Sequence, residues 1–163
     1  MTIWSLLCVC VAIFCSAGLL IWTFNHRRYQ SSSSVASAYD AWTNDRILER
    51  LWGDHVHLGY YSGPLRKTDF REAKIDFVHQ LVRWSGLDQL PKGSRILDVG
   101  CGIGGSSRIL ARDYGFDVIG ITISEAQVER AKQLTPKNLF CNFIVMDAMK
   151  LDFEKSSFDG VWS

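Results

Sequence analysis

Charge is missing from the first 26 of the 163 residues, and that absence divides the chain. All 18 Lys/Arg and all 17 Asp/Glu lie beyond it, at a density of roughly a quarter, which is ordinary globular usage. The net charge is only +1, so bulk electrostatic capture of nucleic acid is excluded. Proline is scarce, with three residues, and 47% of the chain is hydrophobic. Collagen-like and disordered classes are therefore excluded as well. The five cysteines, at positions 8, 10, 15, 101 and 141, show no C-x2-C spacing and are odd in number. Neither a zinc site nor a disulfide framework is expected, and reduced thiols are the plainer state. There are no internal repeats.

The uncharged stretch over residues 3–24 includes Leu6, Leu7, Val9, Val11, Ile13, Phe14, Leu19, Leu20 and Ile21. As a helix it would reach about 33 Å, enough for a hydrocarbon core of about 30 Å. Trp4 and Trp22 stand near its ends, where indole rings favour the membrane–water interface. No basic segment precedes Ile3, which argues against a secretory signal peptide. Arg27 and Arg28 follow directly, and the positive-inside rule keeps the body cytoplasmic. A single-pass anchor within residues 1–28 is expected, with membrane lipid as its partner. A buried core helix or an uncleaved export signal is the alternative. The serines at 31–34 place a flexible linker over residues 29–38.

Residues 39–93 read as a helical segment. Apolar spacing predicts a helix over 35–52, then a loop, GDHVHLGYYSGP, over 53–64. A second helix starts near Asp69, with Glu72 at capping-box spacing, and stops at Gly86. Beyond residue 94 the pattern alternates. Strands are predicted over 95–99, 117–122, 139–146 and 158–163, with helices over 106–114 and 124–134. Such alternation implies right-handed crossovers and a parallel α/β sheet. Doubly wound sheets commonly hold six or more strands, so about four strands over 94–163 suggest an incomplete sheet and the amino-terminal part of a longer protein.

The first strand runs into Gly100-Cys101-Gly102-Ile103-Gly104-Gly105 and then a helix. A glycine turn at a helix N-terminus brings backbone close to a ligand, and Gly100, Gly102 and Gly105 satisfy the dinucleotide spacing. Two details separate the ligands. Asp98 gives D-x-G-x-G-x-G, the pattern of S-adenosylmethionine methyltransferases, whose cofactor presents an ammonium group; a carboxylate there opposes a diphosphate. The second strand ends Gly-Ile-Thr-Ile-Ser, without the acid that a dinucleotide ribose prefers. An NAD-dependent oxidoreductase stays open as the alternative, as does a non-catalytic binding module. Ser124 and Gln127 have S-x-x-Q spacing, so Gln127 is either a cap or a cofactor contact. Asp147-Ala148 is either a cofactor contact or a turn cap.

The segments LDVGCGIGGSSRILARDYGFDVIGITIS (97–124), YDAWTNDRILERLWGDHVHLGYY (39–61) and FDGVWS (158–163) together resemble the tocopherol and plastoquinone methyltransferases of cyanobacteria and plastids. The resemblance spans nearly all of 39–163. It implies a Rossmann-like class I methyltransferase sheet and S-adenosyl-L-methionine as cofactor. It further implies C-methylation of a prenylated benzoquinol in tocopherol or plastoquinone biosynthesis, with tocopherol or another small molecule as the alternative acceptor. By the same resemblance Asp98, Gly100, Gly102 and Gly104 line the cofactor loop. Thr122, Ile123 and Gln127 lie by the ribose and adenine, and Asp147 with Ala148 by the adenine. An inner or thylakoid membrane is the implied location. Because the family continues past FDGVWS, a chain ending at Ser163 is expected to be inactive alone.

The acceptor carbon becomes nucleophilic when a ring hydroxyl is hydrogen-bonded or deprotonated. His55, His57, Tyr60 and Tyr61 are the candidate pocket residues, with His55 and His57 the candidate bases. An H-x-H pair could hold metal, but no third ligand is suggested and none is expected. Histidines that merely shape the pocket wall are the plainer alternative. His79 is expected to be structural.

Overall fold

A computed structural model describes residues 31–62 and 69–163, together with Ser16. Apart from Ser16, the expected anchor over residues 3–24 lies outside the described residues. Among those described, no helix is long and apolar enough to cross a membrane.

Among the described residues from 31 on, three α-helices come first: α1 (Ser32–Asp45), α2 (Ile47–Trp52) and α3 (Phe70–Ser85). The sheet then alternates with two more: β1 (Arg95–Val99), α4 (Gly105–Tyr114), β2 (Asp117–Thr122), α5 (Glu125–Leu134), β3 (Cys141–Val145) and β4 (Gly160–Trp162). All pairings are parallel, in the order β3-β2-β1-β4, as the alternating pattern predicts.

Register decides which side chains share a face. Ile96 lies opposite Val118, and Val118 opposite Cys141; two residues on, Asp98, Gly120 and Phe143 line up likewise. With a period of two, all six point to one side. Against that side α3 sets Val78 and Val82, and α4 sets Ile109 and Leu110. Val128 and Ala131 of α5 pack on Phe143 there. Gly120 is required for the fit: a Cβ on it would lie 2.8 Å from the Phe143 ring and 2.9 Å from Cys101 Cβ. Val161, on the opposite side, is 63% exposed.

The chain departs from the sequence expectation at three places. Residues 32–38, within the expected linker span 29–38 although the helical spacing already begins at 35, are the first turns of α1. Ser31 is its N-cap, and its hydroxyl accepts from Ser34 N while the Ser34 hydroxyl accepts from Ser31 N, both at 3.3 Å. Serine satisfies free backbone groups at a helix start as readily as it loosens a linker. The expected helix over 35–52 is broken at Arg46, whose φ of 53° ends α1 and begins α2. The strand expected over 158–163 is confined to three residues, Gly160–Trp162.

Two polar contacts tie α1 and α2 to α5. Asp40 Oδ1 accepts from the Ser124 hydroxyl at 2.5 Å and from Ala126 N at 3.2 Å, so a carboxylate from α1 caps the N-terminus of α5. Arg130 of α5 holds Glu49 of α2 through Nε at 2.8 Å. Asp40→Ala removes an acceptor from two donors at once and is expected to cost about 1–2 kcal/mol. Asp40→Asn, which keeps one oxygen, costs less. Urea titration of the full-length protein measures both.

Candidate functional site

Beyond β1 the backbone turns left-handed at Gly100 (φ 77°), Gly102 (φ 56°) and Gly104 (φ 78°), conformations open to glycine and strained for other residues. Gly100 N and Cys101 N both donate to Ile121 O, at 2.9 and 3.0 Å. Gly104 N donates to Cys101 O at 2.9 Å, so three of the loop's N–H groups are satisfied internally. Asp98 sits at the root of this turn, 2% exposed, and Ser107 of α4 donates to its Oδ2 at 2.5 Å. Burial pushes the Asp98 carboxyl up to about 6, against the pull of the Ser107 hydrogen bond. The neighbouring Cys101 thiol is pushed far up by burial and then by the Asp98 charge.

A cavity of about 540 Å³ opens at this turn. Asp98, Gly100, Gly102, Thr122, Ile123, Gln127 and Ala148 line it, as do His55 and His57. Gln127 has both of its expected uses. Its backbone N–H donates to Ser124 Oγ at 3.1 Å, while its side-chain oxygen accepts from Thr122 Oγ1 at 2.7 Å on the cavity wall.

Four expected residues stand outside the lining. Gly104 packs on the sheet, where a Cβ would meet the Phe143 ring at 2.6 Å. Asp147 caps its own turn, accepting from Met149 N at 2.9 Å. Tyr60 and Tyr61 are exposed, and Tyr60 contributes its backbone N–H to Ala73 O. His79 is bonded through Nδ1 to the Tyr114 hydroxyl at 2.8 Å, away from the cavity.

The cavity owes its cover to residues that the sequence did not single out. Lys74 of α3 is 4% exposed. Its Nζ donates to Trp52 O at 3.1 Å and to His55 O at 2.7 Å, beneath the Trp52 and Phe70 rings. Burial, then Arg71, lowers its ammonium pKa. Arg108 of α4 donates to Ile103 O at 2.7 Å and to Asp54 Oδ2 at 2.6 Å. These two cations hold the loop that carries His55 and His57. The His55 ring lies directly over Gly105, where a Cβ would be 2.8 Å from its Cε1. Burial, reinforced by His57, lowers His55 to about 4. Trp42, Phe77, Leu81 and Trp162 complete an apolar wall.

The charge of the lining selects a ligand class. Among the described residues it contains Asp98, Glu49 and Asp54 but neither Lys nor Arg. Glu49 is neutralised by Arg130 and Asp54 by Arg108, whereas Asp98 has only the serine. A diphosphate would meet this carboxylate with no cation to offset it, and the start of α4, its usual seat, is covered by Asp54 O and the His55 ring. An ammonium or sulfonium cation fits. Among the described residues no group of three or more His, Cys, Asp or Glu is placed to hold a metal.

The buried carboxylate carries a cost with a definite pH dependence. Its folded pKa, about 6, exceeds the ordinary 3.8, so its stabilising contribution is full below 3.8 and is lost as pH rises through 6. Asp98→Asn keeps an oxygen for Ser107 and removes the charge. Above pH 6 it is expected to raise unfolding free energy by about 1–3 kcal/mol, and the gain should vanish below about pH 4. Urea titrations across that range check this; an Asn variant less stable than wild type at pH 7.5 would contradict an uncompensated charge.

A family model described as a methyltransferase domain matches residues 96–163. Over 155 residues, 95% of this chain, the sequence is 58% identical to the 2-methyl-6-phytyl-1,4-hydroquinone methyltransferase of Synechocystis sp., of which it covers 48%. It is 40% identical over 127 residues to the chloroplastic tocopherol O-methyltransferase of Arabidopsis thaliana, covering 72% of this chain and 36% of that one. The crystal structure of the Synechocystis magnesium protoporphyrin IX methyltransferase with bound S-adenosylmethionine superposes with a TM-score of 0.59 at 25% identity, over 84% of this chain and 62% of that one. The chain thus spans about half the length, or less, of these two sequence relatives. A parallel sheet, a glycine turn rooted in a buried aspartate and these likenesses agree: the chain belongs to the S-adenosylmethionine-dependent methyltransferase family.

Proposed function

We propose that the whole protein transfers a methyl group from S-adenosylmethionine to a ring carbon of a prenylated benzoquinol, in tocopherol or plastoquinone biosynthesis. The observation that carries this is one cavity with both a charged and an apolar lining. Asp98 and the glycine turn offer a cation a carboxylate that, among the described residues, has no competing Lys or Arg in the lining. Trp42, Phe77, Leu81 and Trp162 offer an aromatic acceptor an apolar wall. The 58% identity to a hydroquinone methyltransferase supports the acceptor class. The 40% identity to a tocopherol O-methyltransferase supports a related phenol as the second choice.

When bound, S-adenosylmethionine supplies an electrophilic methyl group, so the chain's task is alignment and exclusion of water. Asp98 holds the ammonium, while Gly100 and Gly102 admit the amino-acid end against backbone. Thr122, Ile123 and Gln127 border the ribose and adenine, with Ala148 beside them. Gly104 and Asp147 act indirectly, by seating the turn on the sheet and shaping the loop after β3. His55 and His57 face the polar side of the acceptor. A Cβ on Gly102 meets nothing within 4 Å and therefore projects into open space, at a φ that strains other residues. Gly102→Val is expected to weaken S-adenosylmethionine binding at least tenfold in calorimetry on the full-length protein. Unchanged affinity in the folded variant would overturn the loop assignment. Absence of methyl transfer to any prenylated hydroquinone by wild type would overturn the acceptor.

We further propose that residues 3–24 anchor the protein in an inner or thylakoid membrane with its body cytoplasmic. The acceptor's tail partitions into lipid, at about 0.8 kcal/mol per buried CH2, so a tethered pocket meets substrate where it is concentrated. In sealed vesicles with the cytoplasmic face inward, external protease should leave residues beyond Arg28 intact. Their digestion would reverse the topology.

A further inference from the structure

Both histidines line the cavity, yet their hydrogen bonds make them unequal. His57 Nδ1 stands 2.8 Å from Leu58 O. A carbonyl oxygen only accepts, so the proton of His57 is on Nδ1. In the neutral pair His57 Nε2 is then a bare acceptor, and His55 Nδ1, 3.1 Å away, donates to it. The tautomer of His55 follows: its Nε2 is left without a proton. Among the described residues no donor meets that atom, and the ring lines the cavity. Its placement is fixed from two sides, by Lys74 Nζ on the His55 carbonyl at 2.7 Å and by the Gly105 face beneath the ring.

Resting on the function proposed above, we propose that His55 Nε2 accepts the hydrogen bond of a ring hydroxyl of the benzoquinol and takes its proton as the methyl group reaches the ring carbon. His57 is the positioning residue that sets the tautomer. The O–H electron pair stays on oxygen and feeds the ring. A ring π pair forms the new C–CH3 bond, and the pair of the old S–CH3 bond stays on sulfur, which becomes neutral. The methylated carbon then releases its hydrogen to solvent as a proton. The C–H pair restores aromaticity while His55 returns its proton to the oxygen. One proton leaves per turnover.

The basicity of His55 suits this timing. A phenol ordinarily titrates near about 10, too weak an acid to be ionised beforehand by a histidine held at about 4. As the C–C bond forms, positive charge on the ring makes the hydroxyl strongly acidic. A base lying between those limits moves the proton during bond formation. His57 and Asp54 on the same loop, Lys74 on α3 and Arg108 on α4 are the charged or titratable groups that face it.

The test compares full-length wild type, His55→Gln and His57→Gln on a prenylated hydroquinone and on its bis-methyl ether, with 15N NMR of the wild-type histidines at pH 8. His55→Gln is expected to lower kcat about 100-fold or more with KM little changed, and to match wild type on the hydroxyl-capped ether. His57→Gln is expected to shift the acid limb of kcat/KM upward, since His57 helps hold His55 low. NMR is expected to find the His55 proton on Nδ1. A kcat within threefold of wild type in His55→Gln, or a proton on Nε2 in the spectrum, would overturn the role of His55 while leaving the proposed function standing. A wild type inactive on every prenylated hydroquinone would overturn both.

Discussion

An ammonium or guanidinium taken out of water must be surrounded by oxygens, and the search for those oxygens organises this chain. Lys74 finds two carbonyls, of Trp52 and His55, and Arg108 finds a carbonyl and a carboxylate, of Ile103 and Asp54. Three of the four acceptors belong to residues 52–55, the stretch leading from α2 into the loop. That loop has no helix or strand of its own between Gly53 and Ser62. Two backbone carbonyls turned toward Lys74 and the Asp54 carboxylate turned toward Arg108 hold it down, and with it the histidines and the roof of the cavity. Loss of either cation would leave polar backbone unpaired on one side and a buried opening on the other.

The same reasoning applies in reverse to Asp98. A buried carboxylate with a single hydroxyl partner is an unfavourable arrangement for a folded chain by itself. It is understandable as a site prepared for a cation from outside the protein, with stability given up where the ligand is to bind. Arg130 and Arg108 sharpen that contrast. They neutralise Glu49 and Asp54 and thereby leave one carboxylate in the lining to define the electrostatic centre.

What was legible in the sequence was local. The strand–glycine turn–helix unit, the caps at Asp69 and Gly86, and the parallel alternation all depend on neighbours within a few residues, and all are present. What was illegible depends on distant partners. Asp40 is an unremarkable polar residue in a helix until Ser124, 84 positions later, closes on it. Lys74 left a trace that could have been read. It shares the stripe of Val78 and Val82 at four-residue spacing, and a lysine on an apolar stripe needs an explanation. Gly104 and Asp147 show a different limit: motif membership marks them as ligand contacts, while the contacts they make within the protein are to the sheet and to a local turn. Serines 31–34 misled because composition cannot distinguish a linker from a cap.

Cys101 gives the site a further property. It lies in the middle of the glycine turn, lining the cavity where a reactive methyl donor would bind. A thiolate is a far better nucleophile than an aromatic carbon, and an ionised cysteine here would compete for the methyl group and alkylate the enzyme. Burial and the charge of Asp98 both oppose ionisation of that thiol. On the function proposed above, the carboxylate that would attract the methyl donor would also protect the protein from it, by helping to keep the nearest sulfur protonated.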